Sequence, residues 1–276
     1  MSDFTNKVAV VTGAGSGIGR ALSLDLAARG ARLALSDVDS AGLAETLRQC
    51  ELLGADVRTD HLDVAERDAV MSYADAVVAH FGTVNLVFNN AGIAFSGDVE
   101  VSEFKDIERV MDIDFWGVVN GTKAFLPHLI ASGDGHIVNT SSLFGLLAMP
   151  SQSAYNAAKF AVRGFTESLR QEMLISKHPV KVTCVHPGGI KTAIARNSTA
   201  AAGQDAKAIA DLFDKHLAKT TPESAAHTIL RGVAAGRPRV LIGADARVLD
   251  ALVRITGSGY QRLVARVAAR MLPTAQ

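Results

Sequence analysis

Seven short runs of apolar residues alternate along the chain with longer segments whose apolar residues recur at helical spacing. Several short runs are unbroken stretches of Val, Leu and Ile, which is typical of strands covered on both faces of a sheet. The predicted strands are residues 7–12, 32–36, 56–60, 84–88, 136–140, 180–185 and 239–242. The predicted helices are residues 18–29, 43–53, 66–81, 103–130, 154–176 and 222–235. Thr221-Pro222 predicts the start of the last helix, as an N-cap followed by proline at the first helical position.

This alternation predicts an α/β fold, a doubly wound, Rossmann-like parallel sheet of seven strands. No repeat, low-complexity linker or change of composition divides residues 1–276, so we expect a single domain. Residues 193–219 interrupt the rhythm and predict a helical insertion over the carboxyl edge of the sheet. Their apolar positions at helical spacing are Ile209, Leu212, Phe213 and Leu217. Residues 245–276 predict a C-terminal helical extension.

Composition narrows the class of protein. Apolar residues make up 48% of the 276 residues, and 28 Lys and Arg balance 28 Asp and Glu, which argues against a nucleic-acid-binding protein. Two cysteines are too few for a disulfide framework, and the eight histidines show no metal-ligand spacing, so we expect no metal. Without a signal peptide or a long apolar run, the expected location is the cytoplasm.

A glycine-rich turn, residues 12–19, joins the first predicted strand to the first predicted helix. Gly13, Gly17 and Gly19 permit a tight turn and close approach of a ligand, and the N–H groups at the helix start, from Ser16 to Ile18, suit a pyrophosphate. The position of this turn after the first strand predicts a dinucleotide site. An ordinary tight strand–helix connection is the alternative.

Asp37 ends the second predicted strand, eighteen residues after Gly19. A carboxylate there can accept hydrogen bonds from both hydroxyls of the adenosine ribose and would repel a 2′-phosphate. Ser36, which precedes it, is not the arginine that a phosphate would require. The sequence therefore favours NAD over NADP, and an ordinary loop aspartate is the alternative.

Tyr155 and Lys159 lie four residues apart in a predicted helix, so they share one helix face. The ammonium beside the phenol favours the phenolate and lowers the pKa of the tyrosine. A tyrosine tuned in this way can exchange a proton with an alcohol oxygen. The pair by itself is common on helix surfaces, and it indicates catalysis only if the rest of the chain provides a site for a redox cofactor.

The chain resembles the short-chain dehydrogenase/reductase family over nearly its whole length. The shared motifs are T-G-x-x-x-G-I-G at residues 12–19, Asp63-Val64, Asn89-Asn-Ala-Gly92, Ser142 with Tyr155-x-x-x-Lys159, and Pro187-Gly188 followed by Thr192. Each motif alone is modest, but their order and spacing together are specific.

The resemblance implies a role for each matching residue. Tyr155 would be the catalytic acid and base, Ser142 would orient the substrate oxygen, and Lys159 would bind the nicotinamide ribose and tune Tyr155. The other residues implied to contact the cofactor are Asp63 and Val64 at the adenine, Asn90, Ala91 and Gly92 along the fourth strand's end, and Ile190 and Thr192 at the carboxamide. We therefore expect NAD as the cofactor and a single dinucleotide-binding and catalytic domain.

One position departs from the family pattern. The resemblance calls for an asparagine in the long helix at residues 103–130, where this chain has Asp114. In the family that asparagine supports a water that leads from the lysine toward solvent. A carboxylate would stabilise the Lys159 ammonium but partly cancel its effect on Tyr155, which predicts a more alkaline pH optimum. A neutral replacement is the alternative.

The residues expected around the substrate are mostly apolar: Ile93, Ala94, Phe95, Leu143, Phe144, Met149 and Gly189. They predict a lipophilic secondary alcohol or ketone as the substrate. Residues 193–219 are the predicted substrate lid, with a packed surface helix as the alternative.

The predicted C-terminal extension is basic and amphipathic. Its arginines Arg247, Arg254, Arg262, Arg266 and Arg270 alternate with apolar residues. We expect it to pack on a neighbouring subunit or over the active site, with contact to an anionic membrane surface as the weaker alternative. The resemblance also implies a homodimer or homotetramer built on the helices that hold Trp116 and Tyr155.

Three other functions compete with an NAD(H)-dependent alcohol dehydrogenase or ketone reductase. An NADP-preferring carbonyl reductase would differ in the ribose site. A non-catalytic dinucleotide-binding regulatory protein normally lacks the tyrosine or the lysine, and both are present here. A nucleotide-fold methyltransferase would use the glycine turn and Asp37 but would have no use for Ser142, Tyr155 and Lys159.

Overall fold

The computed structural model describes residues 4–192, 194, 198–201 and 219–271. The strands of the described part are β1 Val8–Thr12, β2 Arg32–Asp37, β3 Val57–His61, β4 Leu86–Asn89, β5 Phe95–Ser96, β6 Gly135–Thr140, β7 Val180–Pro187, β8 Thr199–Ala200 and β9 Arg239–Ile242. The helices are α1 Gly17–Ala28, α2 Ser40–Leu52, α3 Arg67–Phe81, α4 Phe104–Met111, α5 Gly117–Ala131, α6 Ser153–Ile175, α7 Pro222–Ala234, α8 Ala244–Thr256 and α9 Tyr260–Met271.

Seven of these strands form one parallel sheet in the order β3-β2-β1-β4-β6-β7-β9. The predicted fold class, a doubly wound seven-stranded α/β fold, is confirmed. The strand order reverses direction between β1 and β4, and the loops that leave neighbouring strands separate there into a crevice at the carboxyl ends. The glycine turn and the loop after β4 therefore face each other across this crevice.

Apolar side chains on both faces of the sheet hold the helices in place. On one face α1 packs against β1 and β2, and α7 packs against α1, β7 and β9, with Leu22, Leu26 and Leu230 at most 1% exposed. On the other face α3 and α5 bring Val77 and Phe125, both at most 1% exposed. Each such side chain contributes about 2 kcal/mol, so burial on two faces fixes these helices more firmly than helix propensity does.

The single long helix predicted at residues 103–130 is divided in the structure. A π-helical turn, Asp112–Trp116, joins α4 to α5. Such turns widen the helix by one residue and re-aim the side chains on them, and they occur often at functional sites. Here the turn carries Asp114, which points into the protein and is fully buried.

The predicted start of the helix at residue 222 is confirmed in its details. Thr221 caps α7 by accepting a hydrogen bond from the Ser224 N–H at 3.3 Å, and Pro222 occupies the first turn. Within the described residues, no helix is long and apolar enough to cross a bilayer.

The predicted lid, residues 193–219, lies largely outside the described residues, and its amphipathic part at 209–217 lies wholly outside them. Its described beginning forms a short parallel ladder that the sequence did not predict. Thr199 and Ala200 of β8 pair with Phe95 and Ser96 of β5. This ladder holds the start of the segment beside the loop that follows β4.

Candidate active site

The glycine-rich turn between β1 and α1 can be formed only by glycine at its key positions. Gly13 and Gly17 have φ values of +66° and +51°, in the left-handed region. A Cβ on Gly19 would lie 2.0 Å from the Gly13 carbonyl oxygen. Ser16 precedes α1, and its exposed side chain makes no capping hydrogen bond. The start of α1, including Ile18, thus offers its N–H groups toward the crevice.

The end of β4 is tied to the end of β1 by Thr12, a role that the sequence did not predict. The Thr12 Oγ1 accepts hydrogen bonds from the Asn90 and Ala91 N–H groups at 3.0 and 3.1 Å. The Asn90 side chain donates in turn to the Thr12 carbonyl oxygen at 3.0 Å. A Cβ on Gly13 would come within 2.8 Å of the Ala91 Cα. The side-chain amide of Asn90 therefore braces the two strand ends.

The Asp37 carboxylate is fixed at the end of β2 beside the glycine turn. Its Oδ2 accepts a hydrogen bond from the Gly15 N–H at 2.7 Å, and its Oδ1 accepts from the Asp39 N–H at 2.9 Å. A charged acceptor held by two N–H groups keeps a defined position.

Asp63 and Val64 follow β3 at the same edge of the sheet, farther from the catalytic residues. The Asp63 Oδ1 accepts from the Ala65 N–H at 2.9 Å and so closes its own turn. Val64 is buried, and its carbonyl oxygen accepts from the Asn120 side chain of α5 at 3.0 Å.

Ser142, Tyr155 and Lys159 meet where β6 ends and α6 begins. The Ser142 Oγ accepts from the Phe144 N–H at 3.1 Å, which holds its side chain at the head of a short 3₁₀ turn. Half-buried Tyr155 packs edge to face on Phe144, with ring centroids 6.2 Å apart. The Lys159 Nζ lies 5.5 Å from the Tyr155 ring centroid, as the shared helix face predicts.

Lys159 is nearly fully buried, with 3% of its side chain exposed, and its surroundings orient it closely. Its Nζ donates to the Thr140 carbonyl oxygen at 3.3 Å, and its own carbonyl oxygen accepts from the Ser141 hydroxyl at 2.8 Å. Ser141 thus anchors the helix that carries the lysine, while Ser142 faces Tyr155.

Asp114 forms a buried ion pair with this lysine. The Asp114 Oδ2 lies 3.3 Å from the Lys159 Nζ, and the Asp114 Oδ1 accepts from the Ile93 N–H at 2.7 Å. A Cβ on Gly92 would come within 3.0 Å of the Asp114 Oδ1 and 3.3 Å of the Lys159 Nζ. The loop after β4, the π-helical turn and α6 therefore converge on one pair of opposite charges.

The electrostatics of the site differ from the sequence-based expectation in one respect. Burial raises the pKa of Tyr155, and the positive charge of Lys159 lowers it only in part. The negative charge of Asp114 adds to the increase, in the direction that its sequence position predicts. The net pKa of Tyr155 is therefore raised. Lys159 alone does not bring it below its ordinary value, because burial disfavours the phenolate more than the ammonium favours it.

The ion pair itself is strongly coupled. Burial raises the pKa of Asp114, although Lys159 opposes that change. Burial lowers the pKa of Lys159, but the charges of Asp114 and Tyr155 outweigh it and raise that pKa overall. Lys159 accordingly remains an ammonium at neutral pH.

The loop after β7 also borders the crevice. Thr192 lies over the glycine turn, and its Cγ2 would be 3.1 Å from a Cβ on Gly17. The Thr192 N–H donates to the Ile190 carbonyl oxygen at 2.9 Å, and buried Ile190 pairs with Thr220. The two residues implied to hold the carboxamide are thus brought to the rim of the predicted dinucleotide site.

Two further polar side chains, His186 and Asn89, support the site in a way that the sequence did not predict. Buried His186 places its Nδ1 2.9 Å from the Ser142 carbonyl oxygen, and burial lowers its pKa to about 4, so the ring is neutral at pH 7. Asn89 donates to the Asn139 side chain at 2.8 Å, and Asn139 donates to the Thr166 hydroxyl of α6 at 3.0 Å. The Asn89 motif was visible in the sequence, but its partners were not.

The fold and this arrangement agree with the result of comparison with known proteins. The family model of short chain dehydrogenases matches residues 7–203. The chain therefore belongs to the short-chain dehydrogenase/reductase family, and it is an oxidoreductase of that family.

Three relatives illustrate the range of similarity. A Mycobacterium tuberculosis protein that carries the provisional name oxidoreductase SadH is 68% identical over 276 residues, which is 100% of both chains. The crystal structure of a short chain dehydrogenase/reductase from Burkholderia phymatum in complex with NAD is 31% identical. That likeness covers 93% of this chain and 95% of the other, with a TM-score of 0.84. Human estradiol 17-beta-dehydrogenase 11 is 29% identical over 263 residues, or 95% of this chain and 83% of the relative.

Proposed function

We propose that the protein is an NAD(H)-dependent alcohol dehydrogenase or ketone reductase that acts on a lipophilic secondary alcohol or ketone. The observation that carries this proposal is the proximity of Tyr155, Lys159 and Ser142, next to a turn that only glycine can form. A phenol, a buried ammonium and an orienting hydroxyl serve proton transfer at an alcohol oxygen. A methyltransferase would have no use for them.

In the oxidation direction, the Ser142 hydroxyl holds the substrate oxygen and the Tyr155 phenolate removes its proton. The carbon that bears this oxygen loses its hydrogen as a hydride, which takes the electron pair of the broken carbon–hydrogen bond. The alcohol thereby becomes a ketone. A nicotinamide cofactor held in the crevice would supply the hydride acceptor. Reduction reverses each step, with Tyr155 as the acid.

Burial raises the pKa of Tyr155, so the phenolate needs nearby positive charge. Lys159 supplies part of that charge from 5.5 Å. Asp114 acts through Lys159, because it fixes the ammonium while it opposes ionisation of the tyrosine. A bound cation beside the phenol would favour the phenolate further.

The residues of the crevice fit a dinucleotide. The glycine turn and the start of α1, from Gly13 and Ser16 to Gly19, would hold the pyrophosphate. Asp63 and Val64 would border the adenine, Asn90, Ala91 and Gly92 would line the middle of the cofactor, and Ile190 and Thr192 would hold the carboxamide. Lys159 would reach the ribose nearest the reacting carbon.

Asp37 supports NAD rather than NADP. Its carboxylate is held at the turn by the Gly15 and Asp39 N–H groups, so it could not move away from a 2′-phosphate without breaking both hydrogen bonds. The Burkholderia phymatum relative, whose structure contains NAD, is consistent with this preference.

The walls near Tyr155 support a lipophilic substrate. Phe95 and Leu143 are buried beside the site, and Phe144 and Met149 are partly buried in the same apolar cluster as Leu143. An apolar pocket with one polar corner selects a hydrocarbon frame that carries one oxygen. The name of the human relative, estradiol 17-beta-dehydrogenase 11, indicates a substrate of that kind.

Homo-oligomerisation through the long helices forms part of the proposal. Phe104, Trp116 and Phe160 are 83%, 43% and 39% exposed on α4, on the π-helical turn and on α6. Exposed aromatic side chains are enriched in subunit interfaces. Light scattering after size-exclusion chromatography distinguishes a dimer or tetramer from a monomer.

We also propose that the protein is located in the cytoplasm.

Absorbance of reduced nicotinamide, followed with a panel of hydrophobic secondary alcohols and ketones and with NAD or NADP, tests the function. We expect turnover with NAD that the substitution Tyr155→Phe abolishes while NAD binding persists. NAD binding without turnover of any panel member would instead support a regulatory dinucleotide-binding protein. A preference for NADP would contradict the role given to Asp37.

A further inference from the structure

The two C-terminal helices contact both loops that border the active site. Asp245, in the first turn of α8, accepts a hydrogen bond from the Gly189 N–H in the loop after β7, with 2.8 Å between Oδ2 and N. The Tyr260 hydroxyl, at the start of α9, accepts from the Ala148 N–H in the loop after β6 at 3.0 Å. Each helix therefore holds a different loop.

The Asp245 contact is closely fitted. A Cβ on Gly188 would lie 2.3 to 2.6 Å from the Asp245 carboxylate, and one on Gly243 would lie 2.1 Å from its Oδ1. Only glycine at both positions leaves room for the carboxylate. The Gly189 carbonyl oxygen also accepts from the Lys219 and Thr220 N–H groups at 3.1 Å. This loop leads directly into Ile190 and Thr192 over the glycine turn.

The Tyr260 contact lies on the substrate side. The Tyr260 ring is 8% exposed and packs in one apolar cluster with Leu143 and Leu147. The same loop is tied to α6 from its other side, since the Asn156 side chain donates to the Met149 carbonyl oxygen at 2.9 Å. Asn156 directly follows Tyr155. The loop that begins at Ser142 is thus held between the catalytic helix and α9.

We propose that Asp245 and Tyr260 are positioning residues with separate effects. Asp245 sets the affinity for NAD through Gly189, and Tyr260 sets the affinity for the alcohol through the loop at residues 143–149. The alcohol part rests on the proposed function, whereas the NAD part requires only that the crevice binds a dinucleotide. The two C-terminal helices therefore position the loops that border the active site.

Calorimetric titration of the full-length protein with NAD, without substrate, tests the first half. A hydrogen bond to a carboxylate is worth roughly tenfold in affinity, so we expect Asp245→Ala to weaken NAD binding about tenfold. Asp245→Asn keeps an acceptor and should recover most of that loss. The matched control is Asp250→Asn on the same helix, whose carboxylate binds Arg254 at the surface. Unchanged NAD affinity in Asp245→Ala would overturn this half.

Steady-state kinetics and amide hydrogen exchange of Tyr260→Phe test the second half. We expect KM for the hydrophobic alcohol to rise about threefold to tenfold at unchanged kcat, with NAD affinity within about twofold of wild type. Exchange should accelerate in residues 143–149 and not in residues 187–192, a result that needs no turnover. Tyr73→Phe, which removes a buried hydroxyl on α3 in a different apolar cluster, is the control. Equal effects on both ligands, or unchanged exchange at residues 143–149, would refute separate positioning.

Discussion

Replacing Asp114 by asparagine removes one charge from the buried pair and keeps its shape. The side-chain oxygen of the introduced asparagine can still accept from the Ile93 N–H, which the Asp114 Oδ1 contacts at 2.7 Å. Lys159 keeps its hydrogen bond to the Thr140 carbonyl oxygen. The substitution therefore tests the negative charge rather than the fold of the π-helical turn.

The expected magnitude follows from the geometry. At 3.3 Å and an effective dielectric constant of about 20, the gross attraction between the Asp114 and Lys159 charges is about 5 kcal/mol. Much of that is offset by desolvation of the two groups. For Tyr155, Asp114 contributes less than Lys159 does, and in the opposite direction. We therefore expect its removal to lower the pKa of Tyr155 and to move the pH–rate profile by about one unit, which is equivalent to about 1.4 kcal/mol.

The assay is the pH dependence of kcat for alcohol oxidation, which requires the phenolate. In wild type the rate rises as pH passes the pKa of Tyr155 in the ternary complex. In Asp114→Asn that rise should move about one unit toward acid. Asp112→Asn, the same charge change at an exposed position of the same turn, should leave the profile in place.

Three results would refute the reasoning. The profile could stay within about 0.2 unit of wild type, it could move toward alkali, or Asp112→Asn could shift it equally. Thermal unfolding serves as the check on folding, because an unpaired buried ammonium costs about 3–5 kcal/mol. A destabilised variant with an unshifted profile would mean that Asp114 acts on stability alone.

Three further predictions concern the glycine turn, the cofactor and acid stability. Gly19→Ala should abolish NAD binding and lower the melting temperature, since the added Cβ would lie 2.0 Å from the Gly13 carbonyl oxygen. Gly164→Ala, whose added Cβ would have no atom outside its own helix within 4 Å, should instead stabilise α6 by up to about 1 kcal/mol. Like behaviour of the two variants would contradict the steric account. Asp37→Ser should raise kcat/KM for NADP relative to NAD about tenfold or more, and an unchanged ratio would remove Asp37 from cofactor selection. Burial, with Lys181 nearby, lowers the pKa of His136 to about 4, below its unfolded value of 6.5. His136 by itself should therefore lower the free energy of unfolding by about 3 kcal/mol as pH drops from 6.5 to 4. Buried His186, whose pKa is also lowered to about 4, should add a similar amount. His136→Gln should flatten that part of the urea-unfolding profile, and an equal slope would show that His136 does not cause it.

The elements that the sequence predicted well are those set by local pattern. The alternation of short, mostly apolar runs with helical segments predicted the seven strands of the main sheet to within about two residues at each end. Thr221 and Pro222 predicted the start of α7, because capping involves groups only three residues apart. The shared face of Tyr155 and Lys159 follows from helix geometry alone.

Other features depended on contacts between distant parts of the chain. The π-helical turn was invisible in the amphipathic pattern of residues 103–130, since it shifts the helix by a single residue. The short ladder between β5 and β8 joins residues about a hundred positions apart. Neither leaves a periodic signal in sequence.

The sequence by itself determined the fold class, the glycine turn and the identity of the residues around Tyr155, because periodicity, glycine geometry and motif spacing are local properties. Only the tertiary structure decided how these residues act on one another. Burial outweighs Lys159 and raises the pKa of Tyr155, and burial is a property of the whole fold. Likewise, Tyr260 reaches Ala148 across 112 residues of chain, a contact that packing alone brings about.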